Sequence, residues 1–309
     1  MKKNIKHIED QLSASLEELS LFPKYFHIET TNSCNARCIM CGIDFDKKEK
    51  LIMSDELFIK VCQDLHQNIE HVRKVMPYLD GEPLIDPYIF KRIKMLKEIN
   101  VPIVNISTNA SLLTETKINE LLDSGLDEIY ITIDSLEPKI FEQIRKRLSF
   151  NQVMENSHLL IKRRNERKSN LKIRMQIILQ ELNIHEKDSF VDYWKRYLDP
   201  SDEIVTQYSH NWGKKVNVKE WGDEESINQT SCIAPFGTLV IHSNGDIPLC
   251  CIDSETEYKM GNIGNQTISE IWNSASFKAA REAQLLNQRE KFPLCVNCTL
   301  WRKDKRDIV

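Results

Sequence analysis

Apolar residues follow two different spacings along the chain. Near the amino end they recur at helical spacing and predict a leading helix over residues 8 to 20, with apolar positions at Ile8, Leu12, Leu16 and Leu19. After Pro23 the pattern changes to short runs rich in valine and isoleucine that alternate with longer helical stretches. Such runs are typical of strands that are buried on both faces of a parallel sheet.

Six of these runs are strand candidates: YFHIE, VRKVMPYL, PIVNIST, EIYITID, KIRMQIIL and EIVTQYS. Helices between them are predicted to begin near Ser54, Asp86, Thr114, Pro138 and Ile184. Alternating strands and helices predict an α/β fold with right-handed crossovers, namely a partial (β/α)6 TIM-like barrel of parallel strands. A closed barrel of this type has eight units, so we expect the sheet to stay partly open, with its chemistry at the carboxyl ends of the strands.

The alternation ends near residue 205. Residues 211 to 231 are polar and predict a connection, and TLVIHSNGDIPLCC then predicts a hairpin of two short strands about the turn 243–246. TISEIWNSASFKAAREAQLL predicts a helix, with Thr267 and Glu270 at capping-box spacing. The chain therefore divides into an N-terminal helix, a partial barrel and a small C-terminal hairpin-helix module, at 1–22, 23–208 and 209–309.

Composition narrows the classes of function. The chain has 309 residues and a net charge of -4, which gives no reason to expect a nucleic-acid partner. It has no apolar run near the roughly 20 residues that span a bilayer and no signal-peptide pattern, so we expect a cytoplasmic protein with no membrane partner. Thiols stay reduced in the cytoplasm, and nine cysteines there point to metal binding or catalysis rather than disulfides.

Three of the cysteines, Cys34, Cys38 and Cys41, directly follow the first strand candidate. Structural zinc normally takes four protein ligands, usually in two separated pairs, so this group is one ligand short. Three thiolates on an iron–sulfur cubane would leave one iron open for a small molecule. Cys62 comes next along the chain, inside a predicted helix, and we expect it to belong to the core.

The stretch Cys34-Asn35-Ala36-Arg37-Cys38-Ile39-Met40-Cys41 resembles the C-x3-C-x2-C signature of radical S-adenosylmethionine (radical SAM) enzymes. In that family the three cysteines hold a [4Fe–4S] cluster and SAM chelates the fourth iron. One electron then cleaves SAM, and the 5′-deoxyadenosyl radical that forms abstracts a hydrogen atom from the substrate. The resemblance implies SAM, a [4Fe–4S] cluster at Cys34, Cys38 and Cys41, and an electron donor such as flavodoxin or ferredoxin.

Further matches follow in the family's order along the chain. Asp80-Gly81-Glu82-Pro83 resembles the Gly-Gly-Glu-Pro loop that binds the amino group of SAM, with Asp80 in place of the first glycine. The resemblance implies that Arg145 reaches the SAM carboxylate, although taken alone it would be a surface residue of a helix. It implies the remaining SAM contacts at Met40, Ser107, Asn109, Asp134 and Ser135.

Five cysteines remain in the C-terminal part, and four of them could hold zinc. GDIPLCC, MGNIGNQTISEIWNS and the closing C-x2-C instead resemble the SPASM domain, or its shortened twitch form, which implies one auxiliary [4Fe–4S] cluster. We expect its ligands to be Cys232, Cys250, Cys295 and Cys298. Neighbours in an extended segment point to opposite sides, so Cys251 is the spare, although Cys250 and Cys251 can exchange roles.

The expected reaction is dehydrogenation or epimerisation of a small hydroxylated molecule of the sugar, aminocyclitol or aminoglycoside type. Epimerisation would use Cys251 as the hydrogen-atom donor, whereas a buried structural thiol is the alternative. Only about 25 residues precede the first strand, which favours a small substrate over a peptide. A peptide or protein maturase and a zinc-stabilised interaction protein remain as alternatives.

Substrate contacts are expected where the sixth strand candidate ends, in TQYSHNW. Tyr208, His210 and Trp212 are the candidates there. His210 is the expected polar contact or proton acceptor, and an ordinary exposed loop histidine is the alternative.

Overall fold

The predicted strands are present in the computed structural model, which describes residues 1–46, 49–217, 219, 231–296, 298 and 306–308. In chain order the strands are β1 (Tyr25–Ile28), β2 (Arg37–Cys38), β3 (Lys74–Met76), β4 (Ile103–Thr108), β5 (Glu128–Thr132), β6 (Arg145–Lys146), β7 (Lys172–Leu179), β8 (Glu203–Tyr208), β9 (Thr238–Ile241), β10 (Asp246–Ile247), β11 (Gly261–Asn262) and β12 (Arg306–Ile308). The connection predicted over 211–231 lies largely outside the described residues.

Helices separate the strands as the sequence predicts. They are α1 (Lys2–Leu12), α2 (Leu16–Leu21), α3 (Asp55–Gln67), α4 (Ile89–Glu98), α5 (Glu115–Leu122), α6 (Pro138–Ile144), α7 (Phe150–Glu166), α8 (Lys187–Trp194), α9 (Ala234–Gly237), α10 (Ile268–Trp272), α11 (Ala275–Leu285) and α12 (Pro293–Val296). No helix in the described ranges is both long and apolar enough to cross a lipid bilayer.

The main sheet is mostly parallel. Strands β1, β3, β4, β5, β7 and β8 lie side by side in chain order and all run parallel. β9 adds a seventh parallel strand beside β1, and β12 runs antiparallel beside β8. Within the described part of the chain, the outer strands β9 and β12 do not pair with each other. The prediction of an α/β fold around a parallel sheet is confirmed.

The expected C-terminal hairpin pairs differently. The turn is present, since the Gly245 N–H donates to the His242 carbonyl at 2.8 Å. However, β9 pairs with β1, and β10 pairs antiparallel with β11. The reason is the sequence of β9, Thr-Leu-Val-Ile, which buries successive apolar side chains and therefore suits a place in the large sheet.

Side chains that cap helices confirm several of the predicted starts. The Ser54 hydroxyl accepts the Leu57 N–H at 3.1 Å at the start of α3, and Thr114 accepts the Lys117 N–H at 3.3 Å at the start of α5. The predicted capping box at Thr267 is formed at the start of α10. α6 begins at Pro138, and short 3-10 turns precede α4 and α8.

Two predicted helices are each divided in two, and the sequence prediction of single helices was wrong. The leading helix breaks at Ser13, which adopts φ 49° and closes α1 in the left-handed conformation. The helix predicted after Thr267 breaks before Ser274, whose hydroxyl caps α11 by accepting the Phe277 N–H. After the first break, the Ser15 hydroxyl caps α2 by accepting the Glu18 N–H at 3.2 Å. Serine side chains that bond to the backbone in this way favour caps over helix interiors.

The strands are not buried equally on both faces, contrary to the expectation from their apolar runs. In β7, Ile173, Met175, Ile177 and Leu179 are fully buried, while the alternating residues are only partly buried. The inner face is polar lower in the sheet: the Lys74 ammonium donates to Glu128 at 2.7 Å, and the Tyr130 hydroxyl donates to the same oxygen at 2.9 Å. The sheet therefore encloses a polar interior below its carboxyl edge.

His27 on β1 is expected to make the free energy of unfolding depend on pH. Burial lowers the pKa of His27 to about 4, and its Nδ1 lies 3.2 Å from the Tyr78 carbonyl. A histidine in the unfolded chain titrates near 6.5, so between these values the unfolded state binds more protons. We expect the contribution of His27 to the free energy of unfolding to be fully present above about pH 6.5. The free energy of unfolding should fall by up to about 3 kcal/mol as the pH drops toward 4.

Urea unfolding at pH 7 and pH 5 checks this expectation. Because glutamine does not titrate, His27→Gln should lose less stability on acidification than the parent chain. An equal loss in both chains would show that other groups cause the acid sensitivity.

Candidate active site

The segment after β1 holds the three clustered cysteines in a tight loop. The Asn32 side chain fixes this loop to the next segment by donating to Glu49 O at 2.8 Å and accepting the Leu51 N–H at 2.7 Å. β2 then pairs with β6, which places Cys38 opposite Arg145 in the register. The Cys41 N–H donates to the Cys38 carbonyl at 3.1 Å. These bonds hold the loop so that all three cysteines line the same cavity.

The protein environment disfavours the thiolate forms of Cys34 and Cys41. The pKa of Cys34 is raised to about 11 and the pKa of Cys41 to about 12, chiefly by burial, and the neighbouring thiols act in the same direction. Metal ligation requires the thiolate form, which a bound cation stabilises. A sulfur-only set of three ligands therefore suits a metal centre that supplies the compensating charge.

The loop after β3 lies directly against the cysteine loop. The Glu82 N–H donates to the Ser33 carbonyl at 2.8 Å. Gly81 allows this approach, because a Cβ atom there would stand 2.3 Å from Thr31 O and 2.7 Å from Ser33 O. Both obstacles are backbone atoms of the segment that leads into Cys34, so the absence of a side chain at Gly81 sets the distance between the two loops.

Gly81→Ala is expected to push the two loops apart. Overpacking of this kind costs about 1–3 kcal/mol, and it should also displace Cys34 and lower the iron content after reconstitution. Gly264→Ala is the matched control, because its new Cβ would meet only the Asn262 side chain, at 2.8 Å. Thermal unfolding and iron analysis of both variants test the expectation. Equal iron content in the two variants would contradict it.

Glu82 joins the ends of β3 and β4. Its Oε1 accepts the Thr108 hydroxyl at 2.7 Å, and its Oε2 accepts the Asn109 N–H at 2.9 Å. Burial raises the pKa of Glu82, whereas these donors lower it. In the described part of the chain Oε2 accepts this single bond, and a carboxylate oxygen can accept a second donor.

Asn109 connects β4 to the cysteine loop through side chains. Its Nδ2 donates to Asn35 Oδ1 at 2.9 Å, and Asn35 in turn donates to the Ser111 hydroxyl at 2.8 Å. The sequence pattern did not single out Asn35, although it stands directly beside Cys34. These side-chain hydrogen bonds fix the segment that holds Cys34 relative to the sheet.

Arg145 is buried, contrary to its reading as a surface helix residue. Its Nε donates to Asp134 Oδ2 at 2.6 Å, and its Nη1 lies 3.4 Å from the Cys38 sulfur. Asp134 also accepts the Ile178 N–H at 2.8 Å. Although burial alone would lower the pKa of Arg145, the Asp134 carboxylate and the Cys38 thiol raise it. The guanidinium therefore stays charged beside the second of the three thiols.

One cavity at the carboxyl edge of the sheet brings together most of the predicted site residues, namely Cys34, Cys38, Met40, Cys41, Gly81, Glu82, Ser107, Asn109, Arg145, His210 and Trp212. Pro83, Asp134, Ser135 and Tyr208 are not among its described lining residues. Ser135 instead donates to Glu186 Oε1 at 2.6 Å and anchors the turn before α8.

Thr108, which the sequence places with Ser107 and Asn109 at the end of a strand, also lines the cavity. The sequence prediction missed several other residues that line it: Phe45, Tyr78, Thr132, Ile178, Gln207 and Ser209. Most of them stand at or next to the last residue of a strand. Position at a strand end was the signal that could have found them, because the carboxyl ends of parallel strands share one edge.

The five remaining cysteines form a second thiol group, Cys232, Cys250, Cys251, Cys295 and Cys298. Burial raises the pKa of Cys251 and of Cys295 to about 12, and both also respond to the charges of Cys232 and Cys298. Burial also raises the pKa of Cys250 well above its ordinary value, and the same two thiols act on it. Cys232 and Cys298 act on both Cys250 and Cys251, so the choice of ligand between them stays a prediction.

Trp212 stands between the two thiol groups. It lines the cavity with the first group and packs against the apolar cluster of Ile252, Leu294 and Cys298 beside the second. Its backbone has φ 50°, which a non-glycine residue rarely adopts. A Cβ on Gly42 would come within 2.7 Å of the Trp212 side chain, so the cysteine loop also contacts it closely.

A parallel sheet that collects three thiols at its carboxyl edge, with a second thiol group beside it, defines an α/β enzyme of the iron–sulfur class. Comparison with protein families gives two matches, the Radical SAM superfamily over residues 28–181 and the SPASM iron–sulfur cluster-binding domain over residues 232–299. The chain therefore belongs to the radical SAM superfamily and carries a SPASM domain.

Similarities to individual proteins support this family assignment. The chain is 23% identical over 273 residues to an S-adenosyl-L-methionine-dependent 2-deoxy-scyllo-inosamine dehydrogenase from Niallia circulans, covering 88% of this chain and 90% of that protein. Its fold is similar to that of BtrN in complex with AdoMet and 2-DOIA, with TM-score 0.60, 20% identity and coverage of 91% and 96%. Streptococcus suis SuiB bound to the precursor peptide SuiA gives TM-score 0.68 at 16% identity, covering 89% of this chain and 70% of SuiB.

The two domains imply the cofactors, and the residues fit them. The protein uses SAM, a radical SAM [4Fe–4S] cluster and an auxiliary iron–sulfur cluster. Each thiol group offers only sulfur ligands, the donors that iron–sulfur clusters take. The first group has three cysteines, one fewer than a cubane has irons, and the second has enough for a fully ligated cluster.

Proposed function

We propose that this radical SAM enzyme dehydrogenates a small hydroxylated substrate of the sugar, aminocyclitol or aminoglycoside type. The similarity to the 2-deoxy-scyllo-inosamine dehydrogenase over nearly the whole of both chains carries the proposal. The cavity supports it, because Thr132, Gln207 and Ser209 line its wall with neutral hydrogen-bonding groups suited to hydroxyls.

We assign Cys34, Cys38 and Cys41 as ligands of the radical SAM cluster. When bound, the cluster and SAM supply a carbon radical that takes a hydrogen atom from the substrate. The remaining lone pair on Glu82 Oε2 and the backbone near Gly81 suit the SAM amino group, and Met40 lines the same cavity.

Arg145 stays cationic beside Cys38, which suits contact with the SAM carboxylate. Asp134 acts through Arg145 by orienting its guanidinium, and Ser107 and Asn109 offer polar contacts from the end of β4. Pro83 and Ser135 support the loops from outside the cavity.

His210 is assigned as a substrate contact that donates a hydrogen bond. The Trp212 N–H donates to His210 Nδ1 at 3.3 Å, and this bond places the proton of the neutral ring on Nε2. A ring in this state offers an N–H group to a substrate hydroxyl, which favours a positioning contact over a proton acceptor.

We assign Cys232, Cys250, Cys295 and Cys298 to the auxiliary cluster. A flavodoxin or ferredoxin is the proposed electron donor, and the cytoplasm is the proposed location, where the nine free cysteines would stay reduced. The surface of β2 and β6 suits the donor, because the exposed Ile39 and Lys146 lie beside Cys38 there.

Epimerisation is the second candidate. Burial raises the pKa of Cys251 to about 12, so this residue stays a thiol at neutral pH, the form that can return a hydrogen atom. Against it, Cys251 is not among the described residues that line the cavity.

Anaerobic incubation with SAM, dithionite and a panel of aminocyclitols in deuterium oxide tests the proposal. A product two hydrogens lighter, formed together with 5′-deoxyadenosine, supports dehydrogenation and should persist in Cys251→Ala. Solvent deuterium at an inverted carbon that is lost in Cys251→Ala would establish epimerisation. Turnover only with peptides, together with tight binding of a leader peptide, would replace the proposal with peptide maturation.

A further inference from the structure

Three buried side chains that the reaction does not use meet at the carboxyl edge of the sheet. Glu29 directly follows β1, His242 directly follows β9, and Asp80 lies in the loop after β3. β1 pairs with both of the other strands, and its last residue, Ile28, stands opposite Ile241. The sheet therefore sets Glu29 and His242 side by side, while Asp80 approaches them from the other neighbour of β1.

The trio of Glu29, Asp80 and His242 is close enough to share one ion. One carboxylate oxygen from each acid and one ring nitrogen of His242 all lie within 4.8 Å of one another. Two ligands that bind one ion at about 2.1 Å can stand at most about 4.2 Å apart. The trio is thus within about 0.6 Å of a coordination shell, a difference that small side-chain rotations can close.

Hydrogen bonds from outside the trio orient two of its members. The Ser243 N–H and hydroxyl donate to Glu29 Oε1 at 3.1 and 2.8 Å. His242 Nδ1 lies 2.9 Å from the Thr256 hydroxyl oxygen. Histidines that bind metals commonly use one ring nitrogen for such a hydrogen bond and the other for the ion. This arrangement assigns Nδ1 to Thr256 and Nε2 to the ion.

Burial and charge favour a cation at this position. The exposed fractions of Glu29, Asp80 and His242 are only 1%, 7% and 4%. Two carboxylates close together in a buried site repel each other, and a positive charge between them offsets that cost. With both carboxylates ionised, a protonated His242 leaves the trio one negative charge. A divalent cation with a neutral imidazole brings the charge of the trio to zero.

Cavities on two sides give an ion access to the trio. Asp80 lines the active-site cavity, and Glu29 and His242 line a second cavity of about 270 Å³. The second cavity has room for the water molecules that complete the shell of an ion with three protein ligands. Lys259 also lines it, but the Lys259 ammonium is paired with Asp246 at 2.5 Å. The trio therefore has the ligands, the supporting hydrogen bonds and the entry path of a metal site.

We propose that Glu29, Asp80 and His242 bind one divalent cation such as Mn²⁺, separate from both iron–sulfur centres. Carboxylates suit Mn²⁺ and imidazole suits first-row divalent metals, whereas thiolates select softer ions. The ion joins β1 and β9 to the loop that continues into Gly81 and Glu82, and so stabilises the contact between the C-terminal module and that loop. The inference is independent of the proposed reaction, because the trio contains no cysteine and no residue assigned to the substrate.

Mn²⁺ is the probe for the test. It is added to the full-length chain after anaerobic reconstitution of the iron–sulfur clusters and gel filtration. Electron paramagnetic resonance at room temperature measures the free Mn²⁺, and a titration therefore gives the number of ions bound and their Kd. Glu29→Gln removes one ligand charge at nearly constant volume.

The parent chain should bind one Mn²⁺ with saturation, and Glu29→Gln should weaken binding at least about tenfold, because even a hydrogen-bond partner of a metal ligand contributes about 10- to 100-fold. His185→Gln is the matched control, since Glu137, His185 and Glu186 form a group with the same ligand types but two exposed members. It should bind Mn²⁺ like the parent chain. No saturable binding by the parent chain, or an equal Kd in Glu29→Gln, would overturn the inference.

Thermal unfolding gives a second measurement. An ion that binds only the folded chain raises the melting temperature. Excess Mn²⁺ should raise the melting temperature of the parent chain and of His185→Gln, and it should leave Glu29→Gln nearly unchanged. Equal shifts in all three chains would place the ion elsewhere and refute the site.

A measurement on folded protein covers the case in which Glu29→Gln does not fold. Pulsed electron paramagnetic resonance of Mn²⁺ bound to His185→Gln, prepared with isotopically labelled histidine, detects a histidine nitrogen on the ion. Coupling to one such nitrogen supports the assignment to His242. Bound Mn²⁺ without any coupling to histidine nitrogen would overturn it.

Discussion

Replacing Cys34, Cys38 and Cys41 together with alanine is expected to abolish SAM cleavage and to remove about four irons per chain. The three thiols converge on one cavity beside the Gly81–Glu82 loop, and no fourth cysteine lines that cavity among the described residues. The second thiol group lies elsewhere in the fold, so the auxiliary iron should remain. Iron and sulfide analysis after anaerobic reconstitution, together with chromatography of 5′-deoxyadenosine, measures both effects.

Cys62→Ala is the matched control for this prediction. Cys62 is a buried cysteine of α3 within the main apolar core. Its loss should leave both the iron content and SAM cleavage unchanged, at a modest cost in stability for the lost volume. If the triple variant keeps its iron, or if Cys62→Ala loses as much, the assignment of the first thiol group is wrong.

Replacing Arg145 with methionine is expected to destabilise the protein by about 3–5 kcal/mol, because it leaves the buried Asp134 carboxylate without its partner. It should also reduce SAM cleavage, since the guanidinium lies 3.4 Å from the Cys38 sulfur. The free energy of unfolding from urea titration and the rate of 5′-deoxyadenosine formation measure the two effects separately.

Two further variants distinguish the loss of the buried Asp134–Arg145 ion pair from the effect of removing any arginine charge. Arg163→Met removes an arginine from an exposed ion pair on α7 and should change stability little. The double variant Asp134→Asn/Arg145→Met should be more stable than Arg145→Met, because no buried charge then stands alone. A double variant as unstable as the single one would show that Arg145 matters through packing rather than charge.

The sequence predicted the six central strands closely because their signal is local. KIRMQIIL forms β7 over the same eight residues, and the other five candidates each contain an observed strand. The pairing of β9 with β1 could not be predicted from the local sequence. It joins segments more than 200 residues apart and depends on the assembly of the whole sheet. The two-residue strands β2 and β6 are too short to leave a periodic pattern, although they bring Cys38 and Arg145 together.

The functional site was likewise predictable from the sequence only in part. The spacing of Cys34, Cys38 and Cys41 was visible in sequence, and so was the Gly81–Glu82 match. The burial of Arg145 was not visible in the sequence. Its place in a predicted helix does not show that β2 lies opposite it and covers its side chain. Glu29, Asp80 and His242 also approach within 4.8 Å of one another from the ends of three strands, a convergence that only the assembled sheet creates.

The pairing of β9 with β1 limits how the protein can be dissected. A chain truncated before residue 232 would expose the hydrogen-bonding edge of β1, the strand that leads directly to Cys34. Bare edges recruit strands from other molecules, so such fragments should self-associate and aggregate instead of yielding an isolated barrel. Each iron site is therefore best silenced by point substitution in the intact polypeptide.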